Sequence, residues 1–174
     1  MKFIALLSLA TGLIFTVFAS AQDSVVREET QFEDWLVQCV TQGDNPKQCA
    51  ALTRATSATE DRDLAIISIQ QVPEGQVDGS SVFRAFLTIP TNVLIQPGIV
   101  VEIDLEQASL AQYEACTQQN CRASFQLSNS LVSKMTSALG AALILTDIRG
   151  GEQRASFSLA GFSAALDKLA ESDS

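Results

Sequence analysis

The chain of 174 residues contains no histidine, one tryptophan, one tyrosine and four cysteines. Without histidine it cannot form a Ser-His-Asp triad, a Cys-His pair or a His-Glu-x-x-His zinc site. No glycine-rich phosphate or dinucleotide loop is present either, because "PGIVVEID" is a turn that leads into a strand. Glu102 and Asp104 are a carboxylate pair of the kind used in acid–base catalysis. Their alternate spacing favours one solvated strand face, and we expect no catalytic residue, cofactor or metal.

Basic residues are few, with 11 Lys and Arg against 20 Asp and Glu, for a formal net charge of −9. Such a surface repels phosphate backbones and anionic lipid headgroups. Nucleic acid is therefore not expected as a partner. An acidic surface is also an ordinary source of solubility, so the charge alone does not define a binding function.

The first 21 residues have the pattern of a secretory signal peptide. Lys2 precedes the apolar run "FIALLSLATGLIFTVFA", and the small residues "ASA" end it at Ala21. An N-terminal membrane anchor is disfavoured because small residues close the segment and no stop-transfer charges follow. No later stretch is apolar enough to span a bilayer. We predict a flexible segment at 22–31, one domain at 32–170, a flexible tail at 171–174, and a location in the periplasm, at the cell surface or outside the cell.

An exported chain meets an oxidising compartment, where paired cysteines persist as disulfides. Four cysteines allow three connectivities. Cys116 and Cys121 bracket "TQQN", and Cys39 and Cys49 bracket a segment with the turn sequence "GDNP". Short closed loops favour pairing Cys39 with Cys49 and Cys116 with Cys121. A redox dithiol or a zinc site is disfavoured, because neither spacing is Cys-x-x-Cys and a four-cysteine zinc site normally has two short knuckles.

Apolar and polar residues alternate through most of the chain, as they do in half-buried antiparallel strands. "EDWLVQCV", "VFRAFLTIP", "IVVEID" and "RASFSLAGF" all show this period of two. Helical spacing appears in "SNSLVSKMTSAL", which Ser128 or Ser130 can cap, and a second short helix is predicted at 164–169. Many short strands separated by turns indicate either a two-sheet sandwich or a small barrel.

The inward-facing positions of these strands predict the core. Trp35 shares a face with Cys39, so we expect it to pack against the first disulfide, with a ligand-stacking surface as the alternative. The predicted buried residues are Trp35, Val37, Phe83, Leu87, Ile103, Phe125, Phe157 and Leu159.

Several motifs in order resemble the invasion-associated locus B family of exported bacterial proteins. They are "FEDWLVQC", the later Cys49, "LTIPTNVLIQPGIVVEID", the hairpin "YEACTQQNCRASF" and the closing segment "SLAGFSAAL". The family often has glycine where this chain has Thr91-Asn92 and Asn120. These departures concern loop conformation, because the shared motif is structural.

The resemblance implies an all-β, immunoglobulin-like antiparallel β-sandwich with one or two short helices. It also implies an association with host-cell invasion, which is a phenotype and cannot be assigned to a residue here. We therefore expect a non-enzymatic protein that binds a protein partner on the host surface or in the bacterial envelope. The alternatives are an accessory protein for envelope maintenance or assembly and, third, a carboxylate-based enzyme.

Overall fold

The computed structural model describes residues 24–57, 59–72 and 83–172. The predicted signal peptide lies outside these ranges. Within them, neither helix combines the length and the apolar character needed to cross a membrane.

Ten strands and two helices are present in the described residues. The strands are β1 Val25–Phe32, β2 Trp35–Gln42, β3 Gln48–Ser57, β4 Arg62–Gln71, β5 Phe83–Ile89, β6 Ile99–Ile103, β7 Glu106–Cys116, β8 Cys121–Leu127, β9 Ala141–Thr146 and β10 Glu152–Phe157. The helices are α1 Asn129–Ser137 and α2 Phe162–Ser172.

Eight of the strands form a closed antiparallel barrel. Their order is β3-β10-β9-β6-β7-β8-β5-β4, and β4 pairs back onto β3. The other two strands, β1 and β2, extend from β3 as a hairpin. The predicted immunoglobulin-like sandwich is therefore wrong, and the small barrel is the observed fold. Inward and outward side chains alternate identically in both architectures, so the alternation could not distinguish them.

Strand β3 closes the barrel because it pairs with β10 on one edge and with β4, the last strand of the order, on the other. One edge pairs with β4 from Ala51 to Ser57. On the other edge, the first half pairs with β2, while Thr56 and Ser57 pair with β10. The sheet therefore divides at the middle of β3, where one neighbour ends and another begins.

The barrel interior is filled by side chains, and it contains most of the predicted core. Phe83, Leu87, Ile103, Phe125 and Phe157 are buried on barrel strands, and Trp35 and Val37 are buried on β2 of the hairpin. Leu159 is only partly buried, so its prediction was wrong. Strand β10 ends at Phe157, and the inward alternation ends with it.

Both helices carry apolar positions at helical spacing. The Ser128 side chain caps α1 by accepting a hydrogen bond from the Leu131 amide at 3.2 Å. The buried positions of α2 are Phe162, Ala165, Leu166 and Leu169, which form one stripe facing the hairpin and β3.

The two segments predicted to be flexible include residues with regular secondary structure. Residues 25–31 belong to β1, which pairs along its whole length with β2. Every residue from Val25 to Gln31 is exposed, so no apolar alternation marks this strand in the sequence. At the other end, α2 continues to Ser172; residues 173–174 lie outside the described part of the chain.

Candidate functional site

The outward face of β2, β3 and β4 forms a concave surface that carries several apolar residues. The inward residues of β2, Trp35, Val37 and Cys39, are buried, so alternation turns the residues between them outward. On a solvated face these positions are usually polar. Here several are apolar and half-buried or exposed. We call this surface the outer groove, and its apolar residues are Leu36, Val40, Ala50, Leu52 and Ile66.

Two adjoining clefts make up the outer groove. Leu52 lines both of them. Their cavity volumes are about 590 and 710 Å³, within the size range of ligand-binding clefts. The first cleft lies beside the β2–β3 turn and includes Gln38, Val40, Lys47, Ala50, Gln70 and Gln71. The second includes Leu36, Arg54, Thr56, Ile66 and Ser156.

The second cleft is a direct result of the division of the sheet at β3. Leu36 stands at the start of β2, and Ser156 stands near the end of β10. Because β2 and β10 take different halves of the same β3 edge, a gap opens between them on the outer face. The groove is thus a product of strand pairing.

The polar groups of the outer groove are mainly amides and hydroxyls. Arg54 at the rim pairs with Asp63 at 2.8 Å, and both side chains are well exposed. Gln70 points outward into the first cleft, whereas Gln71 lines that cleft from the inward face of β4 with its Oε1 atom buried. This lining is suited to holding apolar side chains and hydrogen-bonding a backbone.

This surface was not predicted from the sequence, because the alternation of apolar and polar residues was taken to mark the inward face alone. The available signal was that β2 is apolar on both faces, since Leu36 and Val40 alternate with Trp35 and Val37. Such two-sided strands indicate either a buried strand or an exposed apolar surface.

Trp35 holds the strand that carries Leu36. Its ring has no exposed surface and lies 5.4 Å from the Phe162 ring of α2, centroid to centroid. Its Nε1 donates a hydrogen bond to the Ser158 carbonyl at 3.0 Å. The ligand-stacking alternative fails because the ring is buried, and the aromatic partner is Phe162 on α2.

The segment between β10 and α2 contacts the turn of the β1–β2 hairpin. The Asp34 amide donates to the Ala160 carbonyl at 3.3 Å. Gly161 has a φ of +83°, and a Cβ placed there would lie 2.0 Å from the Phe32 carbonyl oxygen. The closing motif "SLAGFSAAL" therefore fixes the position of the β1–β2 hairpin against the barrel.

The structure joins the cysteines in the two predicted pairs. Cys39 and Cys49 face each other across β2 and β3, with sulfurs 2.04 Å apart. Cys116 and Cys121 close the β7–β8 hairpin. In the hairpin loop, the Thr117 hydroxyl accepts hydrogen bonds from the amides of Gln119 and Asn120, each at 3.2 Å. The first bridge ties together two strands of the outer groove, whereas the second lies on a different hairpin.

The carboxylates Glu102 and Asp104 do not form a pair on one strand face. Glu102 is on β6 and forms an ion pair with Arg154. Strand β6 ends at Ile103, and Asp104 adopts a φ of +52° in the turn that follows. There it accepts hydrogen bonds from the amides of Leu139 and Gly140 at 2.9 and 3.0 Å. Both carboxylates therefore have structural partners, and the expectation of a shared strand face was wrong for Asp104.

Replacing Cys116 and Cys121 together with serine is expected to lower the free energy of unfolding by roughly 2 kcal/mol, because a short loop is no longer closed in the unfolded chain. Thermal or urea unfolding of the double variant measures this loss. The hairpin lines neither cleft and β5 lies between β8 and β4, so partner binding well below the melting temperature is expected to persist. Unchanged stability combined with lost function would instead indicate a redox role.

Comparison with known proteins agrees with the motif order. The sequence profile of the invasion associated locus B family matches residues 35–170. The crystal structure of invasion associated protein b from Bartonella henselae is similar, with a TM-score of 0.65 and 20% sequence identity. The alignment covers 83% of this chain and 95% of that chain. No curated protein matches the chain significantly. Since the profile match spans most of its length, this chain belongs to the invasion associated locus B family.

Proposed function

We propose that this protein is an exported, non-enzymatic binding protein, and that the outer groove receives apolar side chains of a protein partner. The observation that carries the proposal is the concentration of five apolar residues on a concave, solvent-facing sheet surface. Exposed apolar patches of this kind are typical of interaction sites. On most β-barrels the outward-facing strand positions are polar because they contact solvent.

Export is supported by the leader sequence and by both cysteine pairs. Disulfides are stable in the periplasm and outside the cell. The first bridge joins β2 to β3 and would keep the groove strands in register during exposure to that environment. We propose a location in the periplasm, with the cell surface as the site where an invasion-related partner would be met.

The proposed partner is a protein because of the shape and lining of the groove. Two adjoining clefts that share Leu52 suit successive side chains of an extended segment. Gln70, which points outward and is exposed, offers an amide group for the backbone of that segment. In the host-cell interpretation, suggested by the family and by the name of the Bartonella protein, the partner lies on the host surface. In the second interpretation it is a protein of the bacterial envelope.

A capture experiment distinguishes these two sources. The exported form is immobilised and exposed separately to host-cell membranes and to envelope extracts of the producing bacterium. A partner retained only from host membranes supports a role in invasion, and one retained only from the envelope supports maintenance or assembly. The affinity of the purified partner is then measured directly.

The variant Ile66→Asp tests whether the groove makes the contact. Ile66 is 47% exposed, so the substitution is expected to leave folding intact while weakening partner binding by at least about tenfold. Ile95→Asp is the matched control, because Ile95 is 56% exposed and does not line either cleft. Equal binding by both variants would show that the groove is not the contact surface.

A further inference from the structure

Strand β1 is an open edge of the sheet. It stands at the end of the strand order, and no described strand pairs with its outer side. It is eight residues long, and its residues up to Gln31 are exposed. Proteins usually shorten, bend or cover such edges because unpaired backbone groups attract another strand.

The hydrogen bonds of the hairpin show which residues of β1 face the open edge. The Ser24 carbonyl accepts a hydrogen bond from the Gly43 amide at 3.2 Å. Residues that bond to the partner alternate along an antiparallel strand. The even-numbered residues of β1 therefore bond to β2. The N–H and C=O groups of Val25, Arg27, Glu29 and Gln31 point to the open edge.

A second copy of the chain is a geometrically suitable partner for this edge. A twofold axis perpendicular to the sheet joins two edges in antiparallel fashion and keeps equivalent faces on the same side. With the axis at Glu28, Val25 lies opposite Gln31 and Arg27 lies opposite Glu29. All four edge-facing residues are then in hydrogen-bonded pairs, which gives roughly eight backbone hydrogen bonds across the axis.

The charges of Arg27 and Glu29 favour this register over the registers in which the axis is moved by one residue. Arg27 is exposed and has no ion pair among the described residues. Glu29 accepts a hydrogen bond from Gln38 at 2.7 Å, which holds its carboxylate on the outward face shared with Arg27. The axis at Glu28 places these opposite charges face to face twice. Moving the axis by one residue sets Arg27 against Arg27 or Glu29 against Glu29, which is unfavourable.

Glu28 lies on the twofold axis, and lysines offset its negative charge. Glu28 faces the other side of the sheet, where Lys47 contacts it at 2.5 Å. The Lys47 hydrogen bond, the Lys47 charge and the charge of Lys168 on α2 lower the pKa of Glu28. Two Glu28 carboxylates near the axis would therefore lie among lysines from both copies.

We propose that two copies of this chain associate through β1, in antiparallel register with Arg27 of each opposite Glu29 of the other. The twofold axis keeps both outer grooves on one face of a continuous sheet. The dimer thus presents two equivalent binding surfaces in the same direction. This arrangement increases the effective affinity for a surface that displays many copies of a partner.

Sedimentation equilibrium over a concentration series tests the proposal. The wild-type chain is expected to form a dimer, and Arg27→Glu or Glu29→Arg to weaken the association by at least about tenfold, because each variant opposes like charges. The combined Arg27→Glu, Glu29→Arg variant restores opposite charges and is expected to recover dimerisation. Arg149→Glu makes the same charge change at an exposed position outside β1, so it is the control and should dimerise normally.

A proline variant separates the backbone contribution from charge. The Gln31 amide faces the open edge, so Gln31→Pro removes an intermolecular donor without removing a bond to β2. This variant is expected to be monomeric while Gln31→Ala remains dimeric, with circular dichroism melting used to verify folding. A monomeric wild type at about 100 μM, or a dimer that persists in Arg27→Glu, would overturn the proposal. Neither outcome depends on the outer groove, whose own test is Ile66→Asp.

Discussion

Replacing Trp35 with alanine is expected to lower the free energy of unfolding by roughly 3–5 kcal/mol, the range for truncating a fully buried large aromatic residue. The ring has no exposed surface, and its contact with Phe162 joins the hairpin to α2. Alanine leaves a cavity between these elements and also leaves the Ser158 carbonyl without its indole donor. Urea unfolding of the purified protein, monitored by far-ultraviolet circular dichroism, measures the loss.

Trp35→Phe separates the two contributions. Phenylalanine keeps an aromatic ring beside Phe162 but cannot donate to Ser158. Its cost is expected to be smaller, on the order of 1–2 kcal/mol, from the lost hydrogen bond and the smaller ring. A near-neutral Trp35→Ala variant would contradict the buried position of the ring and would restore the ligand-stacking interpretation.

Replacing Gly161 with alanine is expected to destabilise the protein by roughly 3–5 kcal/mol, although only one methyl group is added. Two causes act together. The φ of +83° is unfavourable for a residue with a Cβ, and that atom would lie 2.0 Å from the Phe32 carbonyl oxygen. Since the obstacle is backbone, the β1–β2 turn must move away from α2. Thermal unfolding and the exposure of Trp35 to a fluorescence quencher both report that movement.

Two other glycines provide matched controls. Gly150 has a φ of +85°, but a Cβ added there would meet no atom within 4 Å, so Gly150→Ala isolates the conformational cost of about 1–2 kcal/mol. Gly140 has neither feature, so Gly140→Ala is expected to change stability by no more than about 0.5 kcal/mol. If Gly161→Ala costs no more than Gly150→Ala, the close approach to Phe32 is not maintained in solution.

The elements that were predicted correctly are each marked by residues that lie close together in the sequence. Phe83 and Leu87 are two positions of a period-two pattern whose intervening residues include Arg84 and Thr88, which is enough to identify both a strand and its buried face. Ser128 precedes an apolar stripe at helical spacing, and it caps α1 in the structure. Cys116 and Cys121 are separated by a short turn, so their pairing requires no knowledge of distant strands.

The outer groove has no comparable local signal. Leu36 and Ile66 are far apart in the chain and line the same cleft only because β2 and β4 both pair with β3. Strand β1 was also not predicted, because an edge strand with two exposed faces shows no alternation of apolar and polar residues. Pairing with β2 makes this segment a strand, although its own sequence does not indicate one.

Patterns among neighbouring residues were enough to establish the leader pattern, the alternating strands, most of the core and the two short cysteine loops. The motif order also identified the family. The closure of the strands into a barrel, the division of the sheet at β3 and the open edge at β1 became visible only in the folded chain. These features depend on which edges of distant strands meet, and backbone hydrogen bonds are chemically the same for every possible pairing. The choice among pairings is made by the combined packing of the core, which no local pattern records.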